Sequence, residues 1–549
     1  MTVFRVWAPT ASGVELSDGT ALVATGGWWS ATADLVDYGF RVDGGPVRPD
    51  PRSAWQPDGV HALSRVYDHD AFGWTDQHWR GTPLPGSILY ELHVGTFTEG
   101  GTFEDAIGRL DHLVELGVTT VQLLPCNAFD GRWGWGYDGV GLFAVHEPYG
   151  GPDGLKRFVD AAHARGLGVA MDVVYNHLGP AGNYLPEFGP YLTAAHQTAW
   201  GPAPDLSNDE VRRFLLDNAL MWLRDYHLDG LRIDAVHALV DDGATHLMEQ
   251  LQQEVSALAA QLGKPLWLVA ETEANDPRTL LQWHLDGQWN DDVHHALHAL
   301  LTGERDGYYC DFGSYEVLAK AMTGAFVHDG TWSTYRGRHH GRPVPPEVSG
   351  HRFVVFTQNH DQIGNRPFGD RPRLSPGRAR ISAALLLLSP YTPLLFMGEE
   401  YGATTPWQYF SDHAGELATA IRLGRRQELG HELAPDPQAE STFRGSVLDW
   451  QVDEDLLGWH RDLIALRRSR VDLSDGRRDH LALLWDEAED WLVVTRGAVA
   501  VCCNLGQERA HLAVPGTPAA VLLASAPGWT HRPGVVETEG ETVVVVELA

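Results

Sequence analysis

Residues 230–237 read Gly-Leu-Arg-Ile-Asp-Ala-Val-His, and residues 169–177 read Val-Ala-Met-Asp-Val-Val-Tyr-Asn-His. Each begins as an apolar run fit for a buried strand and ends in polar groups that a strand core does not tolerate. Residues two apart in a strand share a face, so Arg232 and Asp234 point the same way. Two more segments have this form: Trp267-Leu-Val-Ala-Glu-Thr-Glu delivers Glu271, and Phe353-Val-Val-Phe-Thr-Gln-Asn-His-Asp delivers His360 and Asp361. Polar groups arriving at the carboxyl ends of successive apolar strands are what a parallel sheet with its site at one rim requires.

Working outward, Ile88–Val94, Thr119–Leu124 and Pro393–Met397 read as further strands of the same kind, with a weaker one between Leu285 and Val293. Between the strands, Thr102–Leu116, Gly154–Arg165, Asn208–Tyr226 and Ala244–Leu262 repeat their apolar residues at three and four positions, as amphipathic helices do. Eight such units over nearly 400 residues fit a (β/α)8 barrel with insertions better than an open doubly wound sheet. No Gly-x-Gly-x-x-Gly turn or Walker loop follows the first strand, which counts against nucleotide binding. The flanks differ: residues 1–84 and 471–549 show short alternating runs punctuated by Gly, Asp and Pro, the pattern of small β-sandwiches. The reading is therefore an α/β chain: a barrel at 85–470, with an N-terminal β-sandwich at 1–84 and a C-terminal one at 471–549.

Composition agrees. The chain has 549 residues, about three domains' worth, and its net charge of −32 disfavours nucleic acid and anionic membranes as partners. Only three of the 41 cationic residues are lysines (Lys156, Lys264, Lys320). Twenty tryptophans suit a protein that holds sugar faces, although most tryptophans pack cores. The amino terminus lacks a basic stretch followed by an apolar run, and Ala383–Leu388 is too short to span a bilayer, so a cytoplasmic protein is expected. Four cysteines without metal spacing make no framework, and Cys502-Cys503 reads as inert core.

In a barrel, Asp234, Glu271 and Asp361 converge with Arg232, His177 and His360 on one rim. Three acids together serve either a divalent metal or glycosidic bond cleavage. Arg232 favours the second use, because a cation beside Asp234 stabilises an ionised nucleophile and weakens a metal site. Glu271, leaving an apolar strand near other acids, is expected to be held protonated as a general acid.

The four segments DVVYNH, GLRIDAVH, LVAETE and FTQNHD resemble, in order, the signature regions of the α-amylase superfamily of glycoside hydrolases, over about 190 residues. The resemblance implies a TIM barrel with Asp234 as nucleophile, Glu271 as acid/base and Asp361 as transition-state stabiliser. It places Arg232, His177 and His360 around the sugar and Tyr137 beneath it. The stretches 124–140, 143–152, 329–343 and 359–366, with Pro49–His61 near the amino terminus, are similar to the malto-oligosyltrehalose trehalohydrolase family, and the likeness runs nearly the whole chain. It implies retaining hydrolysis of the α-1,4 bond next to the terminal trehalose of maltooligosyl trehalose, a step of trehalose biosynthesis, with carboxyls about 5–5.5 Å apart. Related α-1,4-glucans are the other expected ligands. Where α-amylases usually carry Lys-His, this chain has His237-Ala238, so the leaving group is held differently. Candidates for recognising trehalose are His237, Trp133, Trp135, Asn275, Asp276, Arg338, His339 and Gln362, because separating it from maltose needs placed polar groups.

Asn176 stands where some relatives have a calcium ligand, but the segment His177–Leu228 is short and offers it no partners, so no metal and no cofactor is expected. His294, His295, His339 and His340 are expected on solvated faces rather than on an ion. Asp291-Asp292 reads as a polar strand exit. Glycogen branching and debranching enzymes share the sandwich, barrel and acids and are the nearest alternative. A catalytically inactive glycan-binding barrel is the alternative of another class, and the intact set of acids argues against it.

Overall fold

The computed structural model describes residues 1–549 apart from Ala199 and Glu432. Eight parallel strands close into a barrel: β1 (Leu89–Leu92), β2 (Thr120–Leu123), β3 (Gly168–Val173), β4 (Gly230–Ile233), β5 (Trp267–Ala270), β6 (Gly287–Trp289), β7 (Phe353–Phe356) and β8 (Thr392–Phe396). They pair in chain order, and β8 returns to β1. Every residue of these strands is buried, which is why they read as apolar runs without alternation. The faint β6 is real and only three residues long, with a glycine whose added Cβ would lie 2.7 Å from Leu84.

Helices α1 (Leu110–Leu116), α2 (Gly151–Ala164), α3 (Asp209–Asp225), α4 (Leu247–Leu262), α5 (Arg278–Leu281), α6 (Asp291–Thr302), α7 (Pro376–Leu387) and α8 (Glu454–Ser469) follow the strands in turn. Their ends are written locally. The Asn208 side chain caps α3 by accepting from the Glu210 N–H, Asp209 and Glu210 fill its first turn, and Arg224 its last. Gly263, at φ 66°, ends α4 in the left-handed conformation that glycine adopts without penalty.

The barrel interior is layered. Leu89, Ala170, Trp267, Val269, Trp289, Val354, Phe356 and Leu394 form an apolar plug. Trp267 needs a glycine opposite: a Cβ on Gly230 would lie 2.2 Å from its indole. Two residues further along the same inward faces stand Glu91, Asp172 and Arg232, joined by Gln122, all at most 1% exposed. The barrel is thus apolar below and charged above, at the carboxyl ends of its strands.

Before the barrel, strands Thr2–Trp7, Trp28–Ala33 and Val23–Thr25 make one antiparallel sheet, and Val14–Leu16, Phe40–Val42 and Val47–Arg48 a second. Their apolar faces continue into the barrel's core, with Trp7 against Tyr191 (ring centroids 4.9 Å) and Phe40 against Phe188 (6.5 Å). Arg48 forks onto Glu187 at 2.8 Å, and Arg52 reaches Asp217 at 2.8 Å. At the far end of the barrel, Trp79 Nε1 donates to Asp229 (2.7 Å), and His163 bridges Asp76 (2.8 Å) and Asp229 (3.0 Å).

After α8, a five-stranded sheet has a three-stranded sheet beside it. In its strand Thr542–Leu548, Val543 and Val545 face the main core while Val544 and Val546 face the second sheet. A strand buried on both faces explains the unbroken valine run. The strands Ala510–Ala513, Thr530–Arg532 and Val535–Thr538 of the small sheet are short and partly polar, and had no clear sequence signal. Cys502 and Cys503 are buried in the larger sheet. Among the described residues no helix is long and apolar enough to cross a membrane.

Gly230→Ala should lower unfolding free energy by about 2 kcal/mol or more, because overpacking against Trp267 forces a shift in the barrel interior. Urea titration followed by tryptophan fluorescence measures it, and an unchanged midpoint would contradict this packing.

Candidate active site

The charged upper layer centres on Arg232. Its Nη1 lies 2.6 Å from Asp172 Oδ2 and 2.8 Å from Asp234 Oδ1, and its Nη2 lies 3.7 Å from Glu271 Oε2. The guanidinium lies 4.5 Å from the ring centre of Trp289, so the plug below supports it. Register explains the contact with Asp172, which pairs directly with Arg232 across β3 and β4. Asn176 donates from Nδ2 to the other carboxylate oxygen of Asp234 at 2.8 Å. Ala235, next in the chain, sits at φ 41°, a left-handed conformation strained for a residue with a Cβ. That turn aims its N–H at Glu271 Oε2, 2.6 Å away, fastening the second acid to the residue after the first.

Asp361 opens the short helix His360–Gly364 beyond β7. His360 accompanies it: Nε2 lies 3.3 Å from Asp361, Nδ1 lies 2.9 Å from Glu91, and the His360 backbone N–H donates to Glu91 at 2.9 Å. Tyr137 donates to Asp172 at 2.5 Å, and its hydroxyl is 2.6 Å from His360 Nε2, with the two rings nearly parallel. His177 closes this arrangement from the side, its Nε2 donating to the Tyr137 carbonyl at 2.8 Å and its ring stacked on Trp200.

These surroundings separate the acids. Burial pushes the Glu271 carboxyl above its ordinary range, with Arg232 opposing and Asp234 adding to the rise. Burial likewise lifts Asp172 to about 7 against the pull of Arg232. Asp361 goes the other way: burial raises it, but His360, with help from Arg232 and Asn365, outweighs burial and holds it at about 2. His360 itself is held well above its ordinary value, since Asp361 and Glu91 overcome its burial. A carboxyl raised by burial, a carboxylate held low by its histidine, and an acid hydrogen-bonded by an amide and a guanidinium are thereby brought together.

A cavity of about 600 Å3 opens on the Asp234 and Asp361 side, lined by Trp135, Tyr137, His177, Trp200, Asp234 and Asp361. Its outer wall is the helix Gly415–Leu429, whose Leu417, Ala420, Ile421 and Gly424 fall on one face and line the cavity. Arg425 ties this helix down by donating to Gly364 O (2.5 Å) and Asn365 Oδ1 (3.2 Å), and Asn365 in turn donates to Asp361 at 3.3 Å. Sequence reasoning missed Trp200, Asp172 and this helix.

The remaining candidates divide. Trp135 lines the cavity, its Nε1 donating to Gln408 O at 2.9 Å. Gln362 lies between Asp291 (3.2 Å) and Tyr308 (3.2 Å) next to Asp361. His237 is exposed on the turn after β4, close enough for its charge to lower Glu271. Others do not line the large cavity. Trp133 stacks on Phe443 at 5.3 Å instead of facing the cavity. Asn275 is buried and donates to Asp292 at 2.8 Å, and Asp276 is taken by Arg278 at 2.9 Å. Arg338 and His339 are exposed on a hairpin, His339 bonded to Gly330 O. The expectation of solvated histidines is corrected at His294 and His340, which are buried. His294 meets the Tyr309 hydroxyl at 3.1 Å, because the face of α6 that carries it packs on β7. Asp291 and Asp292 likewise open α6 inside the protein, with Asp292 accepting from the Val327 and His328 N–H groups. Among the described residues no three His, Cys, Asp or Glu side chains are grouped to hold a metal ion.

Comparison with known proteins accords with this geometry. The profile of the alpha amylase catalytic domain matches residues 65–191, and that of a domain of unknown function (DUF3459) matches residues 476–546. The malto-oligosyltrehalose trehalohydrolase of Arthrobacter ramosus is 52% identical over 536 residues, covering 91% of this chain and 92% of its own. That of Mycobacterium tuberculosis is 48% identical and covers 94% of each chain. A solved structure from Salmonella typhimurium, described as a "putative alpha amylase", superposes with a TM-score of 0.92 at 35% identity over 99% of this chain and 97% of that one.

Two tryptophans test the boundary of the cavity. Trp200→Ala should lower kcat/KM on an α-glucan substrate roughly tenfold, equivalent to ~1.4 kcal/mol, while Trp133→Ala should cost about 2 kcal/mol of stability and change kcat/KM little. Parallel kinetics and thermal melts measure both, and the reverse pattern would place the cavity wall wrongly.

Proposed function

The chain belongs to the malto-oligosyltrehalose trehalohydrolase family of α-amylase-type glycosidases, and on that premise we propose that it hydrolyses the α-1,4 bond joining a maltooligosaccharide to a terminal trehalose. The observation that carries the mechanism is Arg232, one buried cation in contact with both Asp234 and Glu271. Such sharing supports the short carboxyl separation, about 5–5.5 Å, of retaining enzymes. Asp234 attacks the anomeric carbon, held in its attacking orientation by Arg232 and Asn176. Glu271 protonates the bridging oxygen as the bond breaks, and trehalose departs with that proton. A water then gives its proton to Glu271 and attacks the glycosyl–Asp234 ester, which restores both acids and retains the anomeric configuration. Asp361, ionised beside His360, accepts hydrogen bonds from sugar hydroxyls that tighten as the ring flattens. Tyr137 and His177 bound the ring from below and from the side.

The sandwich-like sheets at either end take no part in the chemistry in this reading. The amino-terminal sheets, 1–84, brace the loop that carries Phe188 and Tyr191 beside the cleft, and 471–549 covers the barrel's flank.

The test is a pair of substrates. With maltopentaosyl trehalose and maltoheptaose supplied separately, rapid trehalose release from the first and little cleavage of the second is expected. Equal cleavage, or chain transfer without hydrolysis, would overturn the reading in favour of a general amylase or a branching activity. Because Glu271 is raised, its protonated form persists above the ordinary carboxyl range, so the alkaline limb of kcat/KM belongs to Glu271. Glu271→Gln should cost ~10²–10⁴-fold on the natural substrate and abolish that alkaline limb.

A further inference from the structure

Glu91 is a buried carboxylate beside the site that takes no part in the chemistry above. It is the third residue of β1, has no exposure, and belongs to the charged upper layer of the barrel. β8 stands between β1 and β7, so Glu91 meets the start of the helix His360–Gly364 across the barrel interior and not from a neighbouring strand. Its Oε2 accepts from the His360 backbone N–H at 2.9 Å, and its Oε1 lies 2.9 Å from His360 Nδ1. Gln122, from β2, donates to the same Oε1 at 3.4 Å. Among the described residues His360 is the one cationic group paired with this carboxylate.

We propose that Glu91 is a positioning residue of the reaction: it holds His360 as an imidazolium, and through that ring it fixes the direction of the hydrogen bonds that run to Asp361, Tyr137 and Asp172. This role rests on the glycosidase reading above. The His360 ring has a carboxylate on each side, Glu91 at Nδ1 and Asp361 at 3.3 Å from Nε2. A neutral imidazole has one N–H and one lone pair, and would turn that lone pair on one of the two carboxylates. An imidazolium donates at both ends. Tyr137 adds a second constraint, since its hydroxyl has one proton and two neighbours, Asp172 Oδ2 at 2.5 Å and His360 Nε2 at 2.6 Å. With Nε2 donating, the Tyr137 oxygen accepts and its own proton goes to Asp172, which in turn meets Arg232. With a bare Nε2, the ring and Asp172 would compete for that one proton.

The groups that face the ring leave the task to Glu91. Trp135 and Trp289 each meet it at a centroid distance of 5.9 Å, and Tyr137 lies nearly parallel to it at 5.2 Å. Enclosed in this way, His360 is 1% exposed and water cannot stabilise its charge. On β1 the other imidazole, His93, is pushed down to about 3 by burial and adds no cation. On β3, Asp172 is lifted to about 7 by burial, so at neutral pH it is an incomplete counter-charge, and Arg232 on β4 is a like charge. Burial opposes protonation of His360, and Asp361 together with Glu91 overcomes it. Without the Glu91 charge, Asp361 alone would have to do so, and Asp361 itself depends on the charged ring to stay ionised.

The experiment measures kcat/KM for maltopentaosyl trehalose between about pH 5 and about pH 8 in the wild type, Glu91→Gln, Glu91→Asp, His360→Gln and the double variant Glu91→Gln/His360→Gln. Glu91→Gln removes the charge and keeps a side chain of the same size, so His360 loses its proton at a lower pH than in the wild type. Below that point the ring is charged in both enzymes and they differ little, and above it the variant falls away. The ratio of wild-type to Glu91→Gln kcat/KM should therefore rise at least about tenfold across the range, one pH unit of lost protonation being about a factor of ten. Taking the ratio cancels the Glu271 limb, which both enzymes share. Glu91→Asp keeps the charge, and its ratio should stay constant within about threefold. A Glu91→Gln loss that is equal at every pH marks mere structural support and overturns the proposal, as does an equal rise in Glu91→Asp. In the His360→Gln background Glu91→Gln should cost nothing further, because its effect passes through the ring. An added loss there, or a double variant that fails to fold where His360→Gln folds, overturns the proposal, and this arm decides if Glu91→Gln alone does not fold by circular dichroism. A wild type that releases no trehalose overturns the parent reading, and an ordinary wild type with a flat ratio overturns only this one.

Discussion

A buried guanidinium organises this protein. Arg232 has no exposure, and a charge taken out of water stays only where partners compensate it. Asp172, Asp234 and Glu271 supply that compensation from three successive strands, and the Trp289 ring supports its face. The dependence runs both ways. Without the cation, Asp172 and Glu271 would lose the charge that opposes the effect of their burial, and both would be driven further toward protonation. Replacing Arg232 by lysine would keep the charge and lose the fork that reaches two acids through different nitrogens.

The layering below makes such a charge tolerable. The two-residue period of the strands puts Trp267, Val269, Trp289, Val354 and Phe356 in the lower barrel and sends the next inward positions to the acids. The plug excludes water from beneath, which strengthens every charge interaction above it.

How much of this could be read in the sequence followed from segment length and local signal. Strands of four to six apolar residues ending in an acid or histidine declared themselves, and Asp234, Glu271, Asp361, Arg232, His177 and His360 do meet at one rim. The sixth strand has three residues, one of them glycine, and so read only weakly, with Asp291-Asp292 just beyond it read as a polar strand exit. The helix Gly415–Leu429 read as nothing in particular, because a face of Leu, Ala, Ile and Gly looks the same whether it meets a core or a cleft. Asn275, Asp276 and Trp133 had suitable chemistry near suitable motifs. Which partner a polar or aromatic side chain takes depends on neighbours distant in sequence, such as Asp292 for Asn275 and Phe443 for Trp133. The paired histidines misled for the same reason, since burial of His294 is decided by what packs on α6.

The ties between the amino-terminal sheets and the barrel bear on the order in which the chain is made. Trp79 and Asp229, which share a hydrogen bond, are 150 residues apart, and Trp7 lies 184 residues from Tyr191. At roughly 5–20 residues per second of synthesis, those partners emerge on the order of ten seconds after the first sheets do. Through that interval the apolar edge of the sheets lacks its barrel partners, and the Trp79 indole has only the earlier His163 ring to stack on. The nascent amino terminus is thus a waiting surface, and the ribosome's pace, with whatever shields that surface in the meantime, enters the folding of this enzyme as directly as any contact in the finished barrel.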